Sequence, residues 1–293
     1  MYASGIQIAE KQEASDLKGI LSDRTFLITR TLHGNAIERE KLEKFGARVI
    51  ELSPIKIAFP SSWKKLDDAI SRLEEFDWII FTSANGVKMF FHRCSKKPRA
   101  RKILERLARR DNPRPKLGCV GPYTKRALEA LGYGCSFQPK EYLTSALGEE
   151  LTSATDVRGK KILLARAERA NKEIGNILKR AGAKVYEAHA YRTVPLKGKK
   201  LASSLLNSLT DITLTSPSTV KGLLNFVSLK NLSSLSISVH CIGPVTANAA
   251  RLRGIAVRSV AKEHTIDGLI DSIIYDAQRK RRKILMRLQT TNC

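Results

Sequence analysis

The sequence predicts an α/β protein of two similar modules, each a parallel sheet with helices on both faces. Three observations lead there. Short apolar runs alternate with helical stripes, a long segment is repeated, and two kinds of turn recur in the same order. Residues 25–53 open the first module: an apolar run ending in Arg30, a polar turn, a helix, a glycine stop and a second strand. Residues 161–189 align with them without a gap at an offset of 136, pairing Arg30 with Arg166, Gly46-Ala47 with Gly182-Ala183 and Val49 with Val185. Ile174, Ile177, Leu178 and Ala181 give the later helix its core-facing stripe, and Gly182 is the residue expected just past a helix end.

Two further pairs follow. Residues 77–87, DWIIFTSANGV, resemble 211–220, DITLTSPSTV; residues 119–127, CVGPYTKRA, resemble 241–249, CIGPVTANA. Each reads as an apolar strand running through a Thr-Ser or Gly-Pro turn into a helix. The modules differ by one insertion. Residues 93–126 carry thirteen basic side chains against Glu105 and Asp111, a net +11. Within it Ile103, Leu104, Leu107 and Ala108 mark a helix with one apolar face.

The 293 residues suit one large domain or two smaller ones, and 42% hydrophobic content is enough for a core. A disordered polycation is thereby excluded. No apolar run reaches the ~18 residues of a membrane span. The net charge of +24 asks for an anionic partner. Five scattered cysteines without a CxxC pair, and five histidines without HExxH spacing, predict a reducing compartment and no metal. Residues 1–23 read as a flexible extension, too acidic for a transit peptide and lacking a secretory core. Residues 276–293, net +5 from six basic residues and Asp276, read as a basic C-terminal extension after an amphipathic stripe of Leu269, Ile270, Ile273, Ile274 and Ala277. The 279–283 run is either a nonspecific polyanion contact or a solvated helix end.

The turns carry the chemistry. Thr82-Ser83, Gly121-Pro122, Thr215-Ser216 and Gly243-Pro244 each lie where a parallel strand enters a helix, the edge at which open α/β sheets bind ligands. Their helix N-termini offer free N–H groups to an anion, or serve only as caps. GxSxG, GxxxxGK[ST] and GxGxxG motifs are absent, so hydrolase, P-loop and dinucleotide chemistry have no support.

On FTSANGV (81–87), VGPYTKRAL (120–128), LLARAERANKEI (163–174), AYRTVP (190–195), LTSPSTV (214–220) and CIGPVTANAA (241–250), the sequence resembles the uroporphyrinogen-III synthase family over about residues 24–275. The resemblance implies two α/β domains joined by a two-stranded linker, with an interdomain cleft. It places domain one at 24–50 plus 197–275, linker strands at 51–60 and 185–196, and domain two at 61–184. It implies cyclisation of hydroxymethylbilane, a linear polycarboxylate tetrapyrrole, with ring D inverted and no cofactor or metal. Tyr191 would be the proton donor, or else a tyrosine packing at the domain junction. Ser83, Thr124, Ser216, Ser218 and Thr246 would contact carboxylates or pyrroles. Arg30 and Arg166 would face the substrate, or pair with Glu38, Glu168 or a neighbour. A cytoplasmic monomer is expected, with a plastid protein as the alternative. Two other functions stay open: a nucleic-acid-binding protein, disfavoured by the lack of aromatics among the cations of 93–126, and a noncatalytic anion-binding protein.

Overall fold

The computed structural model describes residue 17 and residues 19–30, 32–108 and 114–291, with side chains for all of these except 32–34, 106, 108, 283–285 and 287–291. The chain forms two compact units, Met1–Lys56 with Pro195–Cys293, and Ile57–Val194. Among the described residues each unit holds one five-stranded sheet.

The first sheet comprises β1 (Thr25–Ile28), β2 (Arg48–Glu51), β8 (Asp211–Leu214), β9 (Ser238–Cys241) and β10 (Ser259–Val260), in the order β10-β9-β8-β1-β2, every pair parallel. The second comprises β3 (Ile55–Ala58), β4 (Trp78–Phe81), β5 (Lys116–Cys119), β6 (Lys161–Ala167) and β7 (Lys184–Pro195), in the order β3-β7-β6-β4-β5. The pairs β6–β7, β6–β4 and β4–β5 are parallel. The duplicated pieces are thus exchanged. The first copy's β1 and β2 share a sheet with the second copy's β8 and β9, joined through β1 and β8, while β6 and β7 share one with β4 and β5, joined through β6 and β4. A parallel bridge from Gly118 to Phe137 beyond β5 takes the place that β10 holds beyond β9.

Strand alternation separates two cores on the second sheet. Ile79, Phe81, Leu163 and Ala165 face the helices Ala84–Cys94 and Pro98–Ala108, with Phe90, Ile103, Leu104 and Leu107 buried between them. Trp78, Ile80, Ile162 and Leu164 face Thr144–Ala154 and Glu173–Arg180, covering Leu147, Ile174 and Leu178. Gly46 and Gly182 hold φ of +89° and +85° past their helix ends, which glycine adopts without strain.

In the first unit a polar network lies under the C-terminal helix, Ile266–Thr291. Asp211, fully buried, accepts Arg24 Nε at 2.8 Å and contacts His240 Nε2 at 2.8 Å. His240 Nδ1 meets Ser259 Oγ at 2.8 Å. Burial alone would raise the Asp211 carboxyl pKa, but His240 and Arg24 hold it below the ordinary 3.8.

The strand expected as a linker at 185–196 falls in β7, Lys184–Pro195, of which residues 184–191 pair in parallel with β6 while β3 lies along its other side. Residues 276–291 continue the helix from Ile266 without a break, since no proline or second glycine interrupts it. Of the 1–23 extension, residues 1–16 and 18 lie outside the described residues, while Leu21 is fully buried and its N–H bonds Phe45 O at 3.0 Å. No helix among the described residues is long and apolar enough to cross a membrane.

Candidate active site

At the carboxyl edge of the second sheet the order β6-β4-β5 brings three strand ends side by side. β6 connects to β7 on one side and β4 to β5 on the other, so this is the topological switch point where such sheets bind ligands. Phe81 ends β4, and Ser83 caps the helix that follows, its hydroxyl accepting Gly86 N–H at 3.0 Å. The same Ser83 hydroxyl lies 2.9 Å from the Tyr191 hydroxyl. A Cβ on Gly86 would stand 3.1 Å from Ala165 O and 3.9 Å from Tyr191 Cε1, so the helix's first turn presses directly on β6 and the tyrosine ring.

A bulge aims that ring. Arg166 pairs with His189, but Ala167 pairs with Tyr191, so one extra residue enters β7. The slip puts Tyr191 in the same buried cluster as Ala188 and Ala190. Burial pushes the Tyr191 phenol pKa up, against the Ser83 hydrogen bond and the Arg166 charge, which pull it down.

Arg166 is 2% exposed. It bonds Asn171 O through Nη2, and its Nη1 lies 3.5 Å from Glu187 Oε2. Its Nε and Nη1 have no hydrogen-bond partner. Burial lowers the guanidinium's pKa, with Glu187 and Tyr191 opposing. Of the carboxylates open to Arg166, the one that reaches it is Glu187 on the neighbouring strand, while Glu168 accepts Ser61 N–H at 3.0 Å.

The first unit repeats the pattern with different occupants. Ser216 caps Pro217–Leu223 in a capping box with Thr219, its hydroxyl accepting Thr219 N–H at 3.2 Å; Ser218 is half-buried beside it. Arg30 N–H donates to Asn35 Oδ1 at 3.0 Å, and Asn35 Nδ2 donates to Glu51 at 3.1 Å. Glu38, fully buried, accepts Thr213 Oγ1 with one oxygen and leaves the other without a partner. Its carboxyl pKa is raised by burial, against Thr213 and the Arg30 charge. Asn35 and Asn171, like Glu51 and Glu187, are separated by the same 136 residues as Arg30 and Arg166. That spacing was the signal for these four side chains, which the search for catalytic motifs passed over.

A family model described as uroporphyrinogen-III synthase HemD matches residues 38–271. The chain belongs to the uroporphyrinogen-III synthase family. Members of this family are cyclising hydro-lyases of tetrapyrrole biosynthesis. The chain is 30% identical to the uroporphyrinogen-III synthase of Synechococcus elongatus, over 86% of this chain and 95% of that one. It is 29% identical to the porphyrin biosynthesis protein HemD of Ruminiclostridium josui, over 88% of this chain, and spans about half of that longer protein, 49%. A uroporphyrinogen III synthase structure from Thermus thermophilus shares the fold, with a TM-score of 0.55 at 17% identity, over 87% of this chain and 99% of that one.

Within this uroporphyrinogen-III synthase fold the Gly-Pro turns differ from the Thr-Ser turns. Gly121 and Gly243 precede helices Pro122–Glu129 and Pro244–Arg251 with no side-chain cap. Their backbones are extended; close approach calls for glycine at Gly243, where a Cβ would meet His264 Cδ2 at 2.7 Å, while at Gly121 a Cβ would rest against Tyr142 Cβ at 3.4 Å. Thr124 and Thr246, expected to touch substrate, are each only 3% exposed. The basic insertion is partly neutralised by the helix before β4: Arg93 pairs with Asp67 at 2.5 Å, Lys97 with Asp67 at 3.5 Å, and Arg99 with Glu74. Arg93 also stacks 4.8 Å over Trp63. Arg109 and Arg110 of that insertion lie outside the described residues.

Proposed function

We propose that this chain cyclises hydroxymethylbilane to uroporphyrinogen III, inverting ring D with loss of water, and that Tyr191 is the proton donor. One observation carries the assignment of Tyr191: its hydroxyl is held by the cap of a helix N-terminus at a switch point, in a chain of this family. The Tyr191 proton passes to the hydroxyl of the substrate's hydroxymethyl group and the C–O bond breaks. Water leaves, and the adjoining pyrrole nitrogen supplies the electron pair that forms a cationic azafulvene. Tyr191 is left as a phenolate. The substituted carbon of ring D then attacks the azafulvene methylene to give a spiro intermediate; the older bond from that carbon to the ring C methylene breaks, the freed methylene recloses on the unsubstituted α-carbon of ring D, and the proton lost from that carbon returns to Tyr191.

The uncapped first turns at Gly121 and Gly243 supply backbone donors for substrate carboxylates, and Arg30, Ser216 and Ser218 add polar contacts. Thr124 and Thr246, being buried, act by shaping those turns. Excess cations near 93–126 and 279–283 draw in polyanions nonspecifically. The active species is a cytoplasmic monomer, which sedimentation and cell fractionation test.

The deciding experiment supplies hydroxymethylbilane and separates the type I and type III products. An excess of type III over the spontaneous product supports the assignment, and its absence refutes it. Tyr191→Phe should lower type III formation about tenfold or more.

A further inference from the structure

Both cap serines accept the N–H of the third helical residue: Ser216 Oγ that of Thr219 at 3.2 Å, Ser83 Oγ that of Gly86 at 3.0 Å. A hydroxyl fixed in this way keeps its hydrogen to give elsewhere. In the second unit the Tyr191 oxygen stands there to receive it, 2.9 Å from Ser83 Oγ. At the 136-residue offset the counterpart of Tyr191 is Ile55, so the phenol has no duplicate in the other unit.

Resting on the assignment of Tyr191 as the acid, we propose that Ser83 is the positioning residue of this reaction and not a substrate contact. Its hydroxyl, fixed by Gly86 N–H, donates to the Tyr191 oxygen. That bond turns the phenol's own proton outward and stabilises the phenolate left after transfer. The partial positive charge at the N-terminus of Ala84–Cys94 polarises Ser83 in the same sense. Gly86 lets this turn sit close to β6, because a Cβ there would lie 3.1 Å from Ala165 O. The Arg166 charge, acting on Tyr191 from the adjacent strand, reinforces it.

The test uses Ser83→Gly, since a glycine cap costs only a few tenths of a kcal/mol of helix stability. Ser83→Thr keeps both the hydroxyl and the cap. With hydroxymethylbilane as substrate, Ser83→Gly should lower kcat for type III about tenfold with KM within about twofold, and Ser83→Thr should stay within about threefold of the parent. In the Tyr191→Phe background Ser83→Gly should have no further effect. Tyrosine 13Cζ resonances should show the Tyr191 titration moving up by about one unit in Ser83→Gly. A raised KM with kcat intact would make Ser83 a substrate contact and overturn the proposal. So would a full additional loss on top of Tyr191→Phe. If Tyr191→Phe alone turns over at the parent rate, the acid assignment fails first and takes this inference with it.

Discussion

Replacing Arg166 by methionine should leave the second unit as stable as before, or more so, while removing much of its activity. The guanidinium is 2% exposed, and two of its nitrogens, Nε and Nη1, lack hydrogen-bond partners. Each unmet buried donor costs about 1–3 kcal/mol. Against that relief stand one charge-assisted bond to Asn171 O, about 1.5–3 kcal/mol, and the 3.5 Å pair with Glu187. The terms leave Arg166→Met between the parent's stability and a gain of about 2 kcal/mol. Glu187→Gln does the opposite, stranding the cation without its counter-charge. Breaking a fully buried pair from one side costs about 3–5 kcal/mol; the Glu187 side chain is 31% exposed, so about 1–3 kcal/mol is expected. The assay is built into the chain. Trp63 and Trp78, its two tryptophans, both lie in Ile57–Val194, so fluorescence during urea unfolding reports that unit alone. A loss of more than about 3 kcal/mol in Arg166→Met with none in Glu187→Gln would mean that the guanidinium stabilises the unit outright. A type III rate unchanged in Arg166→Met would show that this charge is not retained for catalysis.

Asp211→Asn should destabilise the first unit by about 3 kcal/mol, read by hydrogen exchange at β8 and β9. Because His240 and Arg24 hold the Asp211 carboxyl below 3.8, its contribution is full above that value and is lost as pH falls through the lower folded value. The parent should therefore weaken in acid where the variant shows no such dependence. Gly222→Ala should cost about 1–3 kcal/mol in equilibrium unfolding, since its Cβ would lie 2.5 Å from Pro54 O and the Pro217–Leu223 helix must shift. An unchanged midpoint would contradict that contact. Among the described cysteines Cys135 should alkylate first at pH 7.5, as the Cys119 hydrogen bond brings its thiol down to about 7 while burial raises Cys94 and takes Cys241 up to about 12. Peptide mass spectrometry after brief iodoacetamide treatment checks the order, and earlier labelling of Cys94 or Cys241 would reverse it.

The repeated modules, the glycines that end their first helices and the two turn types were legible because each is written locally. A strand must alternate, a helix must show its stripe, and a cap must precede its helix. The geometry of Tyr191 was not. Its placement depends on a one-residue slip between β6 and β7, and neither glycine nor proline stands at His189-Ala190-Tyr191 to mark it. Which carboxylate reaches Arg166 was not legible either, because Glu187 stands beside it only through strand pairing, 21 residues along the chain. Ser83 and Ser216 look alike in their motifs and cap their helices alike, and what sets Ser83 apart is the Tyr191 hydroxyl, which reaches it from β7, 108 residues further along the chain.

The exchange of duplicated pieces between sheets also sets a timetable for synthesis. Ile57–Val194 is continuous, so its sheet, with Ser83, Arg166 and Tyr191, is complete once residue 195 has left the ribosome. β1 and β2 are made earlier but must wait, because Phe26 of β1 pairs with Asp211, 185 positions later. At about 5–20 residues per second that interval is roughly 10–40 s, with the apolar edge of Thr25–Ile28 uncovered throughout. The half carrying the tyrosine is thus born folded, and the half translated first is the last to close, making it the one that most needs shielding in the cell.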